Sequence, residues 1–135
     1  MGVARYEDLI AWQLATQLRK RVVELTARAP VCNDRRFCDQ TRSATASVTA
    51  NIAEGFGRYT RPDFVRFLRY ARGSAYETRE WLRDGKDRGH FNECEFTEQW
   101  GLLERLCGAL TRLIIALERK DRGVKPRRRV LAEVP

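Results

Sequence analysis

The sequence has a single histidine, His90, and none of its four cysteines (Cys32, Cys38, Cys94, Cys107) forms a CxxC pair. Structural and catalytic zinc sites draw on closely spaced Cys and His ligands, so no metal is expected. No stretch approaches the roughly 18 uninterrupted apolar residues of a membrane span. The opening Met1-Gly2-Val3-Ala4-Arg5-Tyr6-Glu7-Asp8 also lacks the basic-then-apolar order of a secretion signal. The expectation is a cytoplasmic protein without membrane contact, its thiols reduced, with Cys107 serving as a small core residue.

Catalytic groupings are scarce as well. No nucleophile is matched to a base, no carboxylate pair stands out, and the acids lie scattered among arginines as solvated ion pairs. His90, in the short Gly89-His90-Phe91 turn, reads as an exposed or capping residue. With no sustained strand alternation there is also no strand-to-helix phosphate loop. Neither an enzyme nor a bound cofactor is expected.

What the chain does have is one domain's length, 135 residues, with 43% apolar and 33% charged residues, enough to bury a core. Its net charge of +8 suggests an anionic partner. From Arg119 to Pro135, seven basic residues face two acids, so most of that excess sits at the C-terminus. The expected division is a helical domain over residues 1–121 and a basic, flexible tail over 122–135 containing Lys125, Arg127, Arg128 and Arg129. Such a tail can grip nucleic acid by counterion release, anchor to an acidic protein, or aid solubility.

Four segments show helical periodicity. The first, about Tyr6 to Arg28, repeats Ala11, Ala15, Leu18, Val22, Leu25 and Ala29 until Pro30 ends it. The second, about Asp34 to Ala53, carries Phe37, Thr41, Ala44, Val48 and Ile52 amid Ser, Thr and Ala, so its neighbours must hold it. The third opens at the Thr60-Arg61-Pro62-Asp63 cap, lines one face with Phe64, Phe67, Leu68, Ala71, Ala75, Thr78 and Leu82, and closes at Gly85 and Gly89. Asn92-Glu93-Cys94-Glu95 is a capping box that opens the fourth. That last helix has a heptad of Phe96, Trp100, Leu103, Cys107, Leu110, Ile114 and Leu117, and beside it a second seam of Leu102, Leu106, Ala109, Leu113 and Ala116. The combined apolar surface exceeds one core-facing stripe, which points to burial of Leu102, Leu106 and Leu113 against another subunit. The class is all-α, an antiparallel four-helix bundle that self-associates.

One charge pattern stands out. Arg66, Arg69, Arg72, Arg79 and Arg83 fall on one side of the third helix, with Tyr59, Tyr70 and Tyr76 nearby. The stripe either follows a phosphate backbone, with tyrosines stacking on unpaired bases, or is a solvated face partly neutralised by Glu77 and Glu80.

Tyr6-Glu7-Asp8-Leu9-Ile10-Ala11-Trp12-Gln13 together with Ser47-Val48-Thr49-Ala50-Asn51-Ile52-Ala53-Glu54-Gly55-Phe56-Gly57-Arg58 resembles the bacterial four-helix bundle family named for proteins encoded within intervening sequences of 23S ribosomal RNA genes. The likeness runs from about Tyr6 to Glu118 and departs at Thr49, where many relatives carry Pro. It implies an up-down-up-down bundle, a ring-like homo-oligomer commonly of five subunits, and no established catalytic activity. A looser similarity of fold links it to the accessory protein of diversity-generating retroelements, which contacts nucleic acid. Asn51, Glu54 and Gly55 have a structural reading in which Gly55 ends the second helix in a left-handed turn and the two polar side chains bond backbone groups at the corner. The alternative is that they shape an oligomer contact or a ligand pocket.

Together these readings point to a non-enzymatic homo-oligomer that binds RNA or a ribonucleoprotein. The competing expectation is a protein-interaction adaptor that touches no nucleic acid.

Overall fold

The computed structural model describes residues 3–121, and within them four helices run α1 (Ile10–Ala27), α2 (Arg35–Phe56), α3 (Arg61–Asp87) and α4 (Glu93–Asp121). The basic tail lies outside the described residues. Two single 3-10 turns, Tyr6–Asp8 and Val31–Asn33, precede α1 and α2. The expected first helix is therefore shorter at its start: Leu9 is extended, with ψ 130°, and its buried side chain pins the chain's entry to the core.

The caps are where side-chain chemistry places them. Thr60 accepts from the Asp63 amide at 3.2 Å, with Pro62 in the first turn of α3. At α4 the box closes both ways: Asn92 Oδ1 accepts from the Glu95 amide at 2.8 Å, and Glu95 Oε1 accepts from the Asn92 amide at 2.9 Å. Asp34 caps α2 by accepting from the Phe37 amide.

Each helix touches two neighbours in the order α1, α2, α3, α4 and back to α1, and the diagonal pairs stand apart. Residue pairings show that neighbours are antiparallel. Arg21 meets Glu98 while Arg28 meets Glu95, and Arg69 meets Glu118 while Lys86 meets Glu93. The molecule is an all-α four-helix bundle. Its core joins Leu18 and Val22 of α1, Val48 and Ile52 of α2, Leu68 and Leu82 of α3, and Leu103, Leu106 and Leu110 of α4. Burying each such side chain is worth about 1.5–3 kcal/mol.

Helix α2 tolerates its Ser and Thr because the buried hydroxyls bond back into the helix. Thr41 donates to the Phe37 carbonyl at 2.6 Å and Thr45 to the Arg42 carbonyl at 3.0 Å. The small residues also let α3 approach closely, and the Ser47 and Ser74 hydroxyls meet at 2.8 Å.

Two expectations need correction. Gly55 is not in a left-handed turn: it is helical and buried, and α2 continues to Phe56. A Cβ there would stand 2.7 Å from Phe67 Cβ and 3.2 Å from the Phe64 carbonyl oxygen, so the missing side chain serves the α2–α3 approach. Gly85 likewise lies inside α3 against Phe37 and Phe91, and Gly89, with φ +78°, makes the turn.

The second correction concerns the seam on α4. Leu106, Ala109 and Leu113 are buried inside the single chain, leaving Leu102 and Ala116 partly exposed. Four-helix packing places Leu103, Leu106, Leu110, Leu113 and Leu117 at the centre, while Phe96 and Trp100 shift to the rim. The apolar width that suggested a partner subunit is taken up by α1 on one side and α3 on the other.

The same rotation buries Gln99 completely. Its Nε2 donates to the Glu95 carbonyl at 3.1 Å, but its Oε1 has no partner among the described residues. Replacing a buried amide that is half satisfied with an apolar group of similar shape is neutral or favourable. Gln99→Met is expected to raise stability by about 1 kcal/mol in urea denaturation; a loss of more than about 1 kcal/mol would show that the amide is satisfied.

Candidate nucleic-acid interface on the α3–α4 face

Arg69, Arg72, Arg79 and Arg83 of the α3 stripe lie along the seam with α4, while Arg66 lies toward the α2–α3 corner. Arg66 pairs with Asp63 at 3.3 Å and sits 4.9 Å over the Phe67 ring. Arg69 reaches across to Glu118 at 2.6 Å, and Arg72 donates to the Thr111 hydroxyl at 3.4 Å. Arg79 and Arg83 both lie over Trp100, at 4.6 and 5.2 Å from the ring centre, and Arg79 also covers Tyr76. Trp100 in turn stacks on Phe96 at 5.3 Å, and Lys86 lies 4.6 Å over Phe96.

Cations and aromatic rings thus alternate along one face. Charge patterning as read from the arginines misses Lys86 and the Phe96–Trp100 pair. Lys86 continues the three-and-four spacing after Arg83, so a signal for it exists; the two rings carry a core signal because they fit the heptad. Arg66, Arg69 and Arg83 keep about half of their side-chain surface in water despite their carboxylate partners. Exposed ion pairs of this kind are weak, about 0–1 kcal/mol, and exchange readily for a phosphate. Each guanidinium carries five donors, of which one carboxylate contact uses a fraction. Tyr70 and Tyr76 stay half-exposed on the same helix.

Asn51 and Glu54 serve other purposes. Asn51 Nδ2 donates to the Ser47 carbonyl at 2.8 Å and to the Ser47 hydroxyl at 3.1 Å, joining the polar link between α2 and α3. Glu54 pairs with the Arg58 side chain at 2.9 Å, not with corner backbone as expected. With Gly55 as a packing residue, all three positions have structural work.

The far end of the bundle carries a polar clasp. Arg28, at the end of α1, grips Glu95 with two nitrogens and donates to the His90 carbonyl at 3.0 Å. His90 Nε2 lies 2.8 Å from Asp34 Oδ2 and its ring packs on Phe37, so it is a partly buried connector between loops. The contact with His90, then the Phe37 amide and Arg88, hold the Asp34 carboxyl below its ordinary value. Glu95 is pushed down to about 2, first by Arg28 and then by the Asn92 amide.

A depressed carboxylate contributes stability above its unfolded pKa, and that contribution is lost as pH falls through the folded value. For Glu95 the window runs from about 4.5 down to about 2. Glu95→Gln keeps the box geometry but not the charge. It is expected to be less stable by about 1 kcal/mol at neutral pH and equal to the wild type near pH 2, as chemical denaturation across pH measures.

Burial pushes the Cys38 and Cys107 thiols up, and all four cysteines are free. Among the described residues no cluster of His, Cys, Asp and Glu is placed to hold a metal ion, and no helix is long and apolar enough to cross a membrane.

Across the bundle from the basic face, α1, α2 and the turn before α1 line an open surface depression of about 600 Å³. Its floor is made of small residues, Ala46, Thr49, Ala50 and Ala53, and its walls include Tyr6, Trp12, Arg19 and Lys20.

Comparison with known proteins gives a consistent picture. No curated protein matches the chain. A crystal structure of a protein of unknown function from the S23 ribosomal protein family of Bacteroides thetaiotaomicron superposes with a TM-score of 0.70 at 20% identity, covering 78% of this chain and 98% of that one. At that identity the likeness shows the fold. The family of the 23S rRNA-intervening sequence protein matches residues 7–112, most of the bundle from the turn before α1 well into α4, and the chain belongs to that family.

Proposed function

We propose that the protein is a non-enzymatic, cytoplasmic RNA-binding module that works as a homo-oligomer and lays its α3–α4 face against a sugar-phosphate backbone. The observation that carries this reading is the alternation of Arg66, Arg69, Arg72, Tyr76, Arg79, Arg83 and Lys86 along one helix face, with Phe96 and Trp100 behind it. Fixed cations with stacked rings are what single-strand binders present to a polyanion. The family's description refers to intervening sequences of 23S rRNA, where its members are encoded, and supports RNA only indirectly. The family resemblance, and not Leu106 or Leu113, supports self-association, with five subunits as the expected number; a monomeric mass in light scattering at micromolar concentration would overturn it.

A fluorescence-anisotropy titration of single-stranded RNA and duplex DNA at two salt concentrations tests the binding, using the full chain and a chain ending at Asp121. RNA affinity that persists in the shorter chain and falls with salt is the expected result. If affinity vanishes with the tail, the stripe is a solvated face. If neither chain binds near physiological salt, the adaptor reading replaces this one. The α1–α2 depression favours that second reading, because an open apolar trough rimmed by Arg19 and Lys20 suits an acidic protein segment.

A further inference from the structure

The α3 stripe continues past its first arginine into the corner between α2 and α3. Tyr59, in that corner, is fully exposed at 102% of its reference surface. The next most exposed aromatic side chains, Tyr76 and Tyr70, are half covered. An aromatic ring left wholly in water forgoes a sizeable burial gain, so it contributes little to the fold.

Two cations near this corner each lie against the ring of Phe67. Arg58 sits 4.6 Å over the Phe67 ring and Arg66 4.9 Å over the same ring, with Tyr70 edge-on to Phe67 at 5.5 Å. Both guanidiniums lie over one ring, and a cation resting on a ring has less freedom to lose on gripping an anion. Glu54 and Asp63 each take one contact, and about half of each arginine side chain stays in water.

We propose that this corner is a site for an unpaired nucleotide, its base stacked on Tyr59 and its phosphate contacted by Arg58 or Arg66. The proposal rests on the RNA-binding reading above and specifies which form of RNA the face selects. Bases within a duplex have both faces covered by their neighbours, whereas a single strand or loop can turn a base onto a protruding ring. Two guanidiniums at one end of a longer basic stripe match a phosphate followed by further phosphates, because Arg66 belongs to both features.

The test uses the full chain with a labelled single-stranded RNA decamer and a blunt RNA duplex of the same length. Tyr59→Ala is expected to weaken decamer binding by about 5- to 150-fold, the span found when one stacking ring is removed, and to leave duplex binding unchanged. Tyr59→Phe, which keeps the ring, should restore wild-type affinity. Circular dichroism melts should coincide, because the ring makes no part of the core. Equal losses on both RNAs, or no loss on the decamer while Arg66, Arg69 and Arg83 replacements do weaken it, would overturn the corner site and leave the RNA-binding face intact. Failure of the wild-type chain to bind either RNA would overturn both.

Discussion

Gly55→Ala is expected to lower the melting temperature by about 5–10 °C, corresponding to about 2 kcal/mol. The added methyl would meet Phe67 Cβ at 2.7 Å, Phe64 Cδ1 at 3.0 Å and the Phe64 carbonyl oxygen at 3.2 Å. Two of these atoms are rigidly tied to the α3 backbone, so α3 must move away from α2 as a body and loosen the Ser47–Ser74 contact farther along. Alanine's better helix propensity, about 1 kcal/mol, offsets only part of the cost. Gly73 provides the contrast. It lies in the middle of α3 with nothing within 4 Å of where a methyl would stand, so Gly73→Ala should raise stability by about 0.5–1 kcal/mol. Thermal melts of the two variants should move in opposite directions; a Gly55→Ala melt at or above the wild type would refute the close-packing account.

Replacing Arg66, Arg69 and Arg83 together with Ala is expected to weaken single-stranded RNA binding by about 10- to 100-fold at low salt, and to reduce the slope of log affinity against log salt by about 2. These three are chosen because their side chains are about half exposed and their carboxylate partners are surface groups. Arg72 and Arg79 are left in place, since Arg72 donates to Thr111 and Arg79 covers both Tyr76 and Trp100, whereas Arg83, which also lies over Trp100, is about half exposed. Losing three exposed ion pairs should cost the fold little, under about 1 kcal/mol each. An unchanged salt slope would assign the stripe to solvation alone.

The parts legible in the sequence are those set by local chemistry. Thr60 and the Asn92–Glu95 box mark helix starts because their side chains satisfy amides three residues away, whatever the rest of the chain does. The four periodic segments and the all-α class follow from the same short-range rules. The candidate site is half legible: spacing alone puts Arg66 to Arg83 on one face, but it does not tell whether a guanidinium lies against a ring, a carboxylate or water.

That distinction belongs to the tertiary structure, as do the roles of Gly55, Gly85 and Gln99. A helix with apolar residues on half its circumference offers two adjacent seams a few tens of degrees apart, and its own sequence does not rank them. Antiparallel contact with α1 and α3 ranks them: it rotates Leu106 and Leu113 to the centre, carries Gln99 in with them, and turns Phe96 and Trp100 out to meet Lys86, Arg79 and Arg83. Glycine is similarly ambiguous, because a missing side chain serves a turn or a close helix approach equally well. At Gly89 the backbone is left-handed, and at Gly55 the chain stays helical because α3 occupies the space a methyl would need. Sequence periodicity determined that four amphipathic helices form and roughly where each begins; the mutual packing of those helices decided which face each one buries and which cations remain to meet a partner.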